Sequence, residues 1–239
     1  NVGTTEKEPR PIEVIARGSA GHGSVPRLDN AVVRLSDALA KIAAWVPPLQ
    51  INETTVAYFR TLSPLVPPDV AARYRDVLNP NPKISGPADE WLLENEPQHW
   101  SMLHTSLVPT VIEGGYRYNV IPSEAKAIVD VRLHPEEDQK TFLDRVRAVV
   151  NDPRVEVRWY RDPYRPAGAS RLNTEAFTVL QAQLKAHYNT AALPTMGTGA
   201  TDMSQMRSKG LQCYGIGPAI DTEDAGKGFG AHSDQERIL

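Results

Sequence analysis

The chain has 239 residues, a formal net charge of −3 at pH 7 and 41% hydrophobic residues, a composition that can bury a globular core. Acidic and basic residues are interspersed, so the sequence predicts no basic surface for nucleic acid and no polybasic helix for a membrane surface. Lysine or proline interrupts every apolar stretch well short of the roughly 20 residues that a membrane-spanning helix needs. We therefore expect neither nucleic acid nor a membrane as a partner.

The first predicted element is a strand at residues 11–18, where apolar and polar residues alternate until a glycine ends the run. A glycine-rich turn with the sequence SAGHGSVP follows this strand. The apolar residues of the next segment recur on one helical face, which predicts a helix from about Asn30 to Trp45 with Asp29 as its N-cap. Two consecutive prolines end this helix.

The pattern changes at residues 49–105, where short helical runs separated by prolines predict a helical insertion. Strand patterns resume at residues 106–115 and 124–135, and we expect these two strands to form an antiparallel pair. A helix that ends at Asn151 and a strand at residues 155–160 complete the unit.

Without the insertion, the order of elements is strand, helix, strand, strand, helix, strand. This order is typical of the ferredoxin-like split βαβ arrangement, an antiparallel sheet with two helices on one face. We place this domain at residues 10–162, because the segment that follows is rich in proline and glycine. Residues 163–239 predict a helix, a glycine turn, a short helix and a buried strand that contains Cys213, the single cysteine. The predicted class is therefore α/β (α+β).

His22 is the first candidate functional residue, because it lies between two glycines that leave its imidazole free to project from the turn. No second histidine or carboxylate follows at the spacing of a local metal site, so we expect a hydrogen-bond donor to a substrate oxygen. The residues alone leave one alternative, an ordinary surface histidine.

Asn119 and Arg132 form the second candidate site, at the two ends of a strand-forming segment. A guanidinium binds a carboxylate through two parallel hydrogen bonds, and a carboxamide can both donate and accept. Together they suit an amino-acid-like ligand. The alternative for Arg132 is a solvated side chain on a strand.

Two further glycine-rich segments are candidates. GTGATD, at residues 197–202, places a glycine turn before a short helix, where free backbone N–H groups can hold a carboxylate, although a purely structural turn has the same pattern. It is not a phosphate-binding P-loop, because no Gly-Lys-Ser/Thr follows. His232 lies in a second such loop with acidic residues close behind, which makes it a candidate for a single metal ligand.

Four segments, ARGSAGHGSVP, NVIPSEAKAIVDVR, GATD and GFGAHSDQERI, occur in an order that resembles a family of dinuclear zinc metallopeptidases. This family includes aminoacylase, glutamate carboxypeptidase, carnosinase and succinyl-diaminopimelate desuccinylase. The resemblance covers nearly the whole chain. It implies that residues 10–162 are a lid, or dimerisation, domain with the helical insertion. Residues 1–9 would end one segment of the catalytic domain, and residues 163–239 would form its incomplete C-terminal part.

The resemblance also implies roles for the candidate residues. His22 matches the lid histidine that reaches into the active site of the partner subunit and polarises the scissile carbonyl. Arg132 matches a residue that binds the free carboxylate of the substrate, and Asn119 matches one that binds it from the partner. We therefore expect a homodimer that forms through the lid domain.

The catalytic-domain motifs imply the remaining contacts. Gly199, Ala200 and Thr201 match the loop that holds the same carboxylate. His232 matches the last ligand of a two-zinc centre, in which cobalt or manganese can replace zinc.

The sequence departs from the family pattern in that the other metal ligands and the general base have no match. Two zinc ions need several ligands and a shared carboxylate, so we expect the chain alone to be an inactive part of a hydrolase. The intact enzyme is expected to cleave an amide bond beside a residue with a free carboxylate, in a small peptide or an N-acyl amino acid. The alternative is a non-catalytic dimerisation module or a degenerate homologue.

Overall fold

The computed structural model describes residues 1–161, 166 and 168–216, and these form nine strands, eight α-helices and one 3-10 helix at Ser63–Leu65. The strands are β1 (Val2–Glu6), β2 (Glu8–Pro9), β3 (Ile12–Arg17), β4 (Gly21–His22), β5 (Ser106–Gly114), β6 (Val120–Ile121), β7 (Glu124–Leu133), β8 (Val155–Trp159) and β9 (Pro194–Gly197). The helices are α1 (Ala31–Ala44), α2 (Glu53–Leu62), α3 (Pro68–Asp76), α4 (Pro82–Asn95), α5 (Pro97–Leu103), α6 (Gln139–Val150), α7 (Glu175–Tyr188) and α8 (Met203–Arg207). None of these helices in the described ranges has the length and apolar character needed to cross a membrane.

The largest sheet contains five antiparallel strands, β2, β3, β5, β7 and β8. Strand β7 lies between β5 on one side and β3 on the other, and β8 pairs with the far edge of β3. Strand β2 pairs with the end of β7 and continues the register of β3. Alternate residues of β7 are buried in the core shared with α1 and α6. This order, β5–β7–β3–β8 with two helices on one face, confirms the predicted split βαβ arrangement.

Helix α1 begins one residue later than predicted, because Asn30 and not Asp29 is its N-cap. The Asn30 side-chain oxygen accepts hydrogen bonds from the backbone N–H groups of Val32 and Val33, at 2.9 and 3.4 Å. The Asp29 carboxylate instead accepts from the backbone N–H of Ser19, at 3.0 Å. The two segments approach closely here, since a Cβ at Gly18 would lie 1.8 Å from the Asp29 carbonyl oxygen. This approach directs the aspartate to the turn and leaves Asn30 to cap the helix.

Helices α2 to α5 form a compact segment with a hydrophobic core of its own. Asn52 caps α2 through a capping box with Thr55, and prolines occupy the first turns of α3, α4 and α5. The segment packs against β1 and β9: Met196 of β9 belongs to its core, and the Thr4 and Thr54 hydroxyls are 2.9 Å apart. The helices therefore join the large sheet to the β1–β9 pair.

Strands β1 and β9 form a parallel pair in which Val2 lies opposite Pro194 and Glu6 lies opposite Gly197. Helix α7 packs beside this pair through Phe177, which is buried with Val2 and Ala192. The short helix α8 follows the glycine turn after β9.

The predicted buried strand around Cys213 is wrong. Residues 211–216 form no strand. Their backbone pairs with β1 only at an isolated β-bridge between Gly215 and Gly3. Buried side chains bind the backbone groups that a strand would pair: Ser170 Oγ accepts from the Cys213 N–H at 2.8 Å, and Arg207 Nη2 donates to the Cys213 carbonyl at 2.9 Å. Cys213 itself is only partly buried.

Candidate functional site

His22 lies on a short two-stranded ladder, and Asn119 lies in the turn just before the second strand of that ladder. Strand β4 pairs antiparallel with β6, so that His22 is opposite Val120. The backbone N–H of Gly23 donates to the Asn119 carbonyl at 2.8 Å, and a Cβ at residue 23 would lie only 3.3 Å from the Asn119 backbone. The glycine beside His22 therefore permits the close approach of the two loops. We call the pair His22 and Asn119 the histidine end, since β6 lies just before the start of β7 in the large sheet.

The ring of His22 is exposed, and its hydrogen bonds indicate its tautomer. The Ser24 backbone N–H points at Nδ1 across 3.2 Å, and the Ser24 hydroxyl lies 2.8 Å from the same nitrogen. Because Nδ1 accepts the backbone hydrogen bond, the neutral ring carries its proton on Nε2. The imidazole is thus oriented to donate from Nε2.

A cavity of about 850 Å³ lies beside the histidine end, between the start of α1 and the loop from β5 to β6. Its lining combines two arginines, Arg27 and Arg117, with the exposed rings of Tyr116 and Tyr118. This mixture of cationic and aromatic side chains can accommodate an anionic group that has an apolar part.

Arg132 lies at the opposite end of the sheet. Strand β7 runs from Glu124, near β6, to Leu133, so Arg132 is roughly 26 Å along the strand from its start. Its Nε donates to both oxygens of Asp130, at 3.1 and 3.0 Å, and both side chains are about one-third exposed. The structure therefore does not bring Arg132 together with His22 and Asn119 within one chain.

The 199–201 loop contacts Glu6, which is the last residue of β1. The Thr201 N–H and hydroxyl donate to the two carboxylate oxygens of Glu6, at 2.7 and 2.6 Å. A Cβ at Gly199 would meet no atom within 4 Å, so the backbone there borders open space.

The next residue, Lys7, is fully buried near Arg132. Its Nζ donates to the hydroxyls of Ser101 and Ser106, at 3.1 and 3.0 Å, and Ser106 lies opposite Arg132 in the ladder. Burial, with a smaller contribution from the positive charge of Arg132, lowers the pKa of Lys7 to about 7. We call Arg132, Lys7, Glu6 and the 199–201 loop the arginine end.

Glu6 and Lys7 are residues that sequence reasoning missed. The segment TTEKEP has no alternation of apolar and polar residues, so nothing in it indicates that two consecutive charged side chains are buried. Their partners Thr201, Arg207 and Ser106 are distant along the chain, so no local signal marks these two residues.

The described residues hold no group of three or more histidine, cysteine, aspartate or glutamate side chains placed to bind a metal ion. His232, the predicted metal ligand, lies outside the described residues. The part of the chain that the structure describes therefore does not fit a dinuclear zinc centre.

Residues 11–158, more than half of the chain, match the family model of the M20 peptidase dimerisation domain. The chain is 28% identical over 203 residues to a probable carboxypeptidase S-like protein of Dictyostelium discoideum, covering 84% of this chain and 38% of that protein. It is 28% identical over 162 residues to the N-fatty-acyl-amino acid synthase/hydrolase PM20D1 of Xenopus tropicalis, covering 65% and 30%. The chain thus spans about one-third of the length of these relatives.

Two solved structures share the fold. An M20 family metallo-carboxypeptidase from Sulfolobus solfataricus superposes with a TM-score of 0.53 at 12% identity, covering 89% of this chain and 50% of that one. A tripeptidase from Staphylococcus aureus gives a TM-score of 0.52 at 13% identity, with 89% and 44% covered.

Proposed function

This chain belongs to the M20 peptidase family, and from that membership we propose that it is part of a metal-dependent hydrolase acting on amide bonds beside a free carboxylate. Relatives described as a carboxypeptidase S-like protein and an N-fatty-acyl-amino acid hydrolase support this substrate class. The observation that carries the proposal is the separation of the histidine end from the arginine end. Each chain offers two halves of a site, and neither half is complete alone.

His22 donates from Nε2 to the carbonyl oxygen of the scissile amide in the partner subunit. The Ser24 hydrogen bonds support this role, because they occupy Nδ1 and leave Nε2 as the donor of the neutral ring. One donor aimed at a developing oxyanion contributes about 100- to 1000-fold to turnover.

Arg132 binds the free carboxylate of the substrate, with the 199–201 loop of the same chain beside it. Asn119 adds a hydrogen bond from the partner, since within its own chain it lies at the opposite end of the sheet. Asp130 supports this role of Arg132, because its carboxylate fixes Nε and leaves the two terminal nitrogens of the guanidinium for a bidentate contact.

Zinc is the metal that the family resemblance implies, with His232 as one ligand. We place the remaining ligands and the general base in a part of the enzyme beyond the described residues. The short span of the chain relative to its relatives supports this placement.

The homodimer forms through α1 and the free edge of β5. Strand β5 pairs with β7 along one side, and its side chains are mostly exposed. Exposed apolar side chains concentrate on this part of the molecule, and they are Val25, Leu28, Val32, Val33, Val108, Val111, Ile112, Tyr116 and Tyr118. An exposed, apolar strand edge beside an apolar helix face is typical of a surface that pairs with a second chain.

A mixed dimer tests the proposal directly. In the enzyme that contains this chain, His22→Ala and Arg132→Met are each expected to abolish most activity at low substrate concentration, with metal content unchanged. Co-expression of the two variants under different affinity tags yields dimers with one subunit of each kind. One site of such a dimer combines an intact Arg132 with an intact His22 of the partner, so kcat/KM should recover to about half of wild type.

The outcome separates shared sites from sites within one chain. If His22 served its own subunit, both sites of the mixed dimer would carry one defect and activity would stay low. His187→Ala is the matched control, because His187 is an exposed histidine on α7 whose ring contacts Gln183. An enzyme that turns over no amide substrate in any form would instead favour the non-catalytic dimerisation module.

A further inference from the structure

Glu6 lies at the centre of a buried polar cluster at the arginine end. Its carboxylate accepts both hydrogen bonds from Thr201, and Arg207 Nη1 approaches one of its oxygens at 3.3 Å. The Arg207 side chain is also buried, and its Nη2 donates to the carbonyls of Gly3 and Cys213, at 3.3 and 2.9 Å. The charge of Glu6 is therefore balanced inside the protein, and the carboxylate is fixed in position.

We propose that Glu6 is a positioning residue that holds the 199–201 loop in the conformation that receives the substrate carboxylate. By taking both donors of Thr201, it fixes one end of the loop, and the backbone at Gly199 in the same loop borders open space. The inference rests on the proposed function, which places the substrate carboxylate at this loop. Glu6 is only 3% exposed and so acts through the loop and not by touching the substrate.

Lys7, the next residue, connects the same segment to the strand that pairs with β7 at Arg132. The Lys7 backbone N–H donates to the Gly197 carbonyl at 2.8 Å, just before the loop, while its side chain binds Ser106 opposite Arg132. Consecutive side chains of one short segment thus hold the loop and the arginine strand. A displacement of Glu6 changes the spacing of the two groups that bind the carboxylate.

The test is a double-mutant cycle in the dimeric enzyme. Glu6→Asp keeps the charge opposite Arg207 but shortens the side chain, and Thr201→Val removes one of the two donors. Each change is expected to raise KM for an N-acyl amino acid about tenfold with kcat little changed, because a hydrogen bond to a charged group is lost. The double variant should be no worse than the worse single variant, since both changes break one link.

Additive effects in the cycle would overturn the inference, because they would mean that Thr201 binds substrate independently of Glu6. Thr201→Ser, which keeps the hydroxyl, should restore KM, and Glu94→Asp on the exposed face of α4 is the matched control for shortening a glutamate. Hydrogen exchange of the Thr201 amide gives a readout without activity. It should be slow in wild type and fast in Glu6→Asp, and fast exchange in wild type would contradict the proposal.

The same experiment separates this inference from the proposed function. Wild-type enzyme is assayed with the N-acyl amino acid and with its carboxamide analogue. Equal use of both compounds would refute the proposed carboxylate selectivity, and the role of Glu6 with it. A preference for the carboxylate, together with additive effects in the cycle, would refute the role of Glu6 alone.

Discussion

His134 is a buried histidine with one satisfied ring nitrogen, two residues beyond Arg132. The Glu136 backbone N–H donates to Nδ1 at 3.2 Å, while Nε2 is buried and meets no hydrogen-bond partner among the described residues. Burial, with smaller electrostatic contributions from Lys7 and His104, lowers the pKa of His134 to about 4. The folded protein therefore keeps this ring neutral.

A pH-dependent loss of stability follows from this shift. Between pH 6.5 and pH 4, His134 is protonated in the unfolded chain but not in the folded protein. The free energy of unfolding therefore decreases as the pH falls through this window. Urea denaturation of wild type should show a larger decrease from pH 7 to pH 4.5 than His134→Asn, by about 2 kcal/mol. Asparagine retains an acceptor for the Glu136 N–H and does not titrate. Parallel pH curves for the two proteins would show that His134 does not contribute.

The sequence predicted the exposure of a side chain where its immediate neighbours determine it. It did not predict burial that depends on contacts with distant parts of the chain. The glycines on both sides of His22 are adjacent in sequence, so its projection from the turn was predictable. Glu6 owes its burial to Thr201 and Arg207, which are about 200 positions away. The roles of His22, Asn119 and Arg132 stay predictions that the mixed dimer tests.

At the scale of elements, the helix ends show which boundaries the local sequence predicts correctly and which it does not. Helix α6 ends at Asn151, as the sequence pattern indicated, and the structure shows this residue in the left-handed conformation, which asparagine tolerates. The start of α1 was displaced by one residue, because Asp29 and Asn30 are both good N-caps and tertiary contact with Ser19 decides between them. The predicted strand around Cys213 does not form, and tertiary contacts again decide the outcome. The buried side chains of Ser170 and Arg207 bind the Cys213 backbone N–H and carbonyl.

The cap of α1 can be tested by alanine substitution. Asn30→Ala removes an acceptor for two helix N–H groups and should lower the free energy of unfolding by about 1 kcal/mol. Asp29→Ala, measured in the same urea titrations, serves as the comparison and should cost less, because it leaves the helix cap intact. A larger decrease in the free energy of unfolding for Asp29→Ala than for Asn30→Ala would indicate that Asp29 is the N-cap.

At the scale of the whole molecule, the order of elements was predictable within the split βαβ unit, whereas the β1–β9 pair and the packing of the helical segment were not. Local periodicity gave the strands and helices of the split βαβ unit, and topology rules then gave their arrangement. The contact of α2 with β9 joins parts of the chain far apart in sequence, for which periodicity carries no information. The domain boundaries at residues 10, 162 and 163 stay predictions.

The proposed dimer surface gives a prediction at this scale. Val33→Lys places a charge on the exposed apolar face of α1 and should raise the dimer dissociation constant at least about 100-fold, because the amine would lose its hydration in the interface. Sedimentation velocity over a dilution series measures the change. Val179→Lys on α7 is the control, since Val179 is a similarly exposed valine on another helix. A monomeric wild type, or identical behaviour of the two variants, would exclude α1 from the interface.

The pairing of β1 with β9 has a consequence for the order in which the protein is made. Thr4 and Thr195 meet across 191 positions of sequence, so the β1–β9 pair, the one strand pairing of β1 among the described residues, can form only after residue 194 has left the ribosome. The split βαβ unit, which ends near Trp159, contains all of its strands well before that moment. The strands of the split βαβ unit can therefore pair before the β1–β9 pair forms, and the buried contacts of Glu6 with Thr201 and Arg207 are among the last that translation permits.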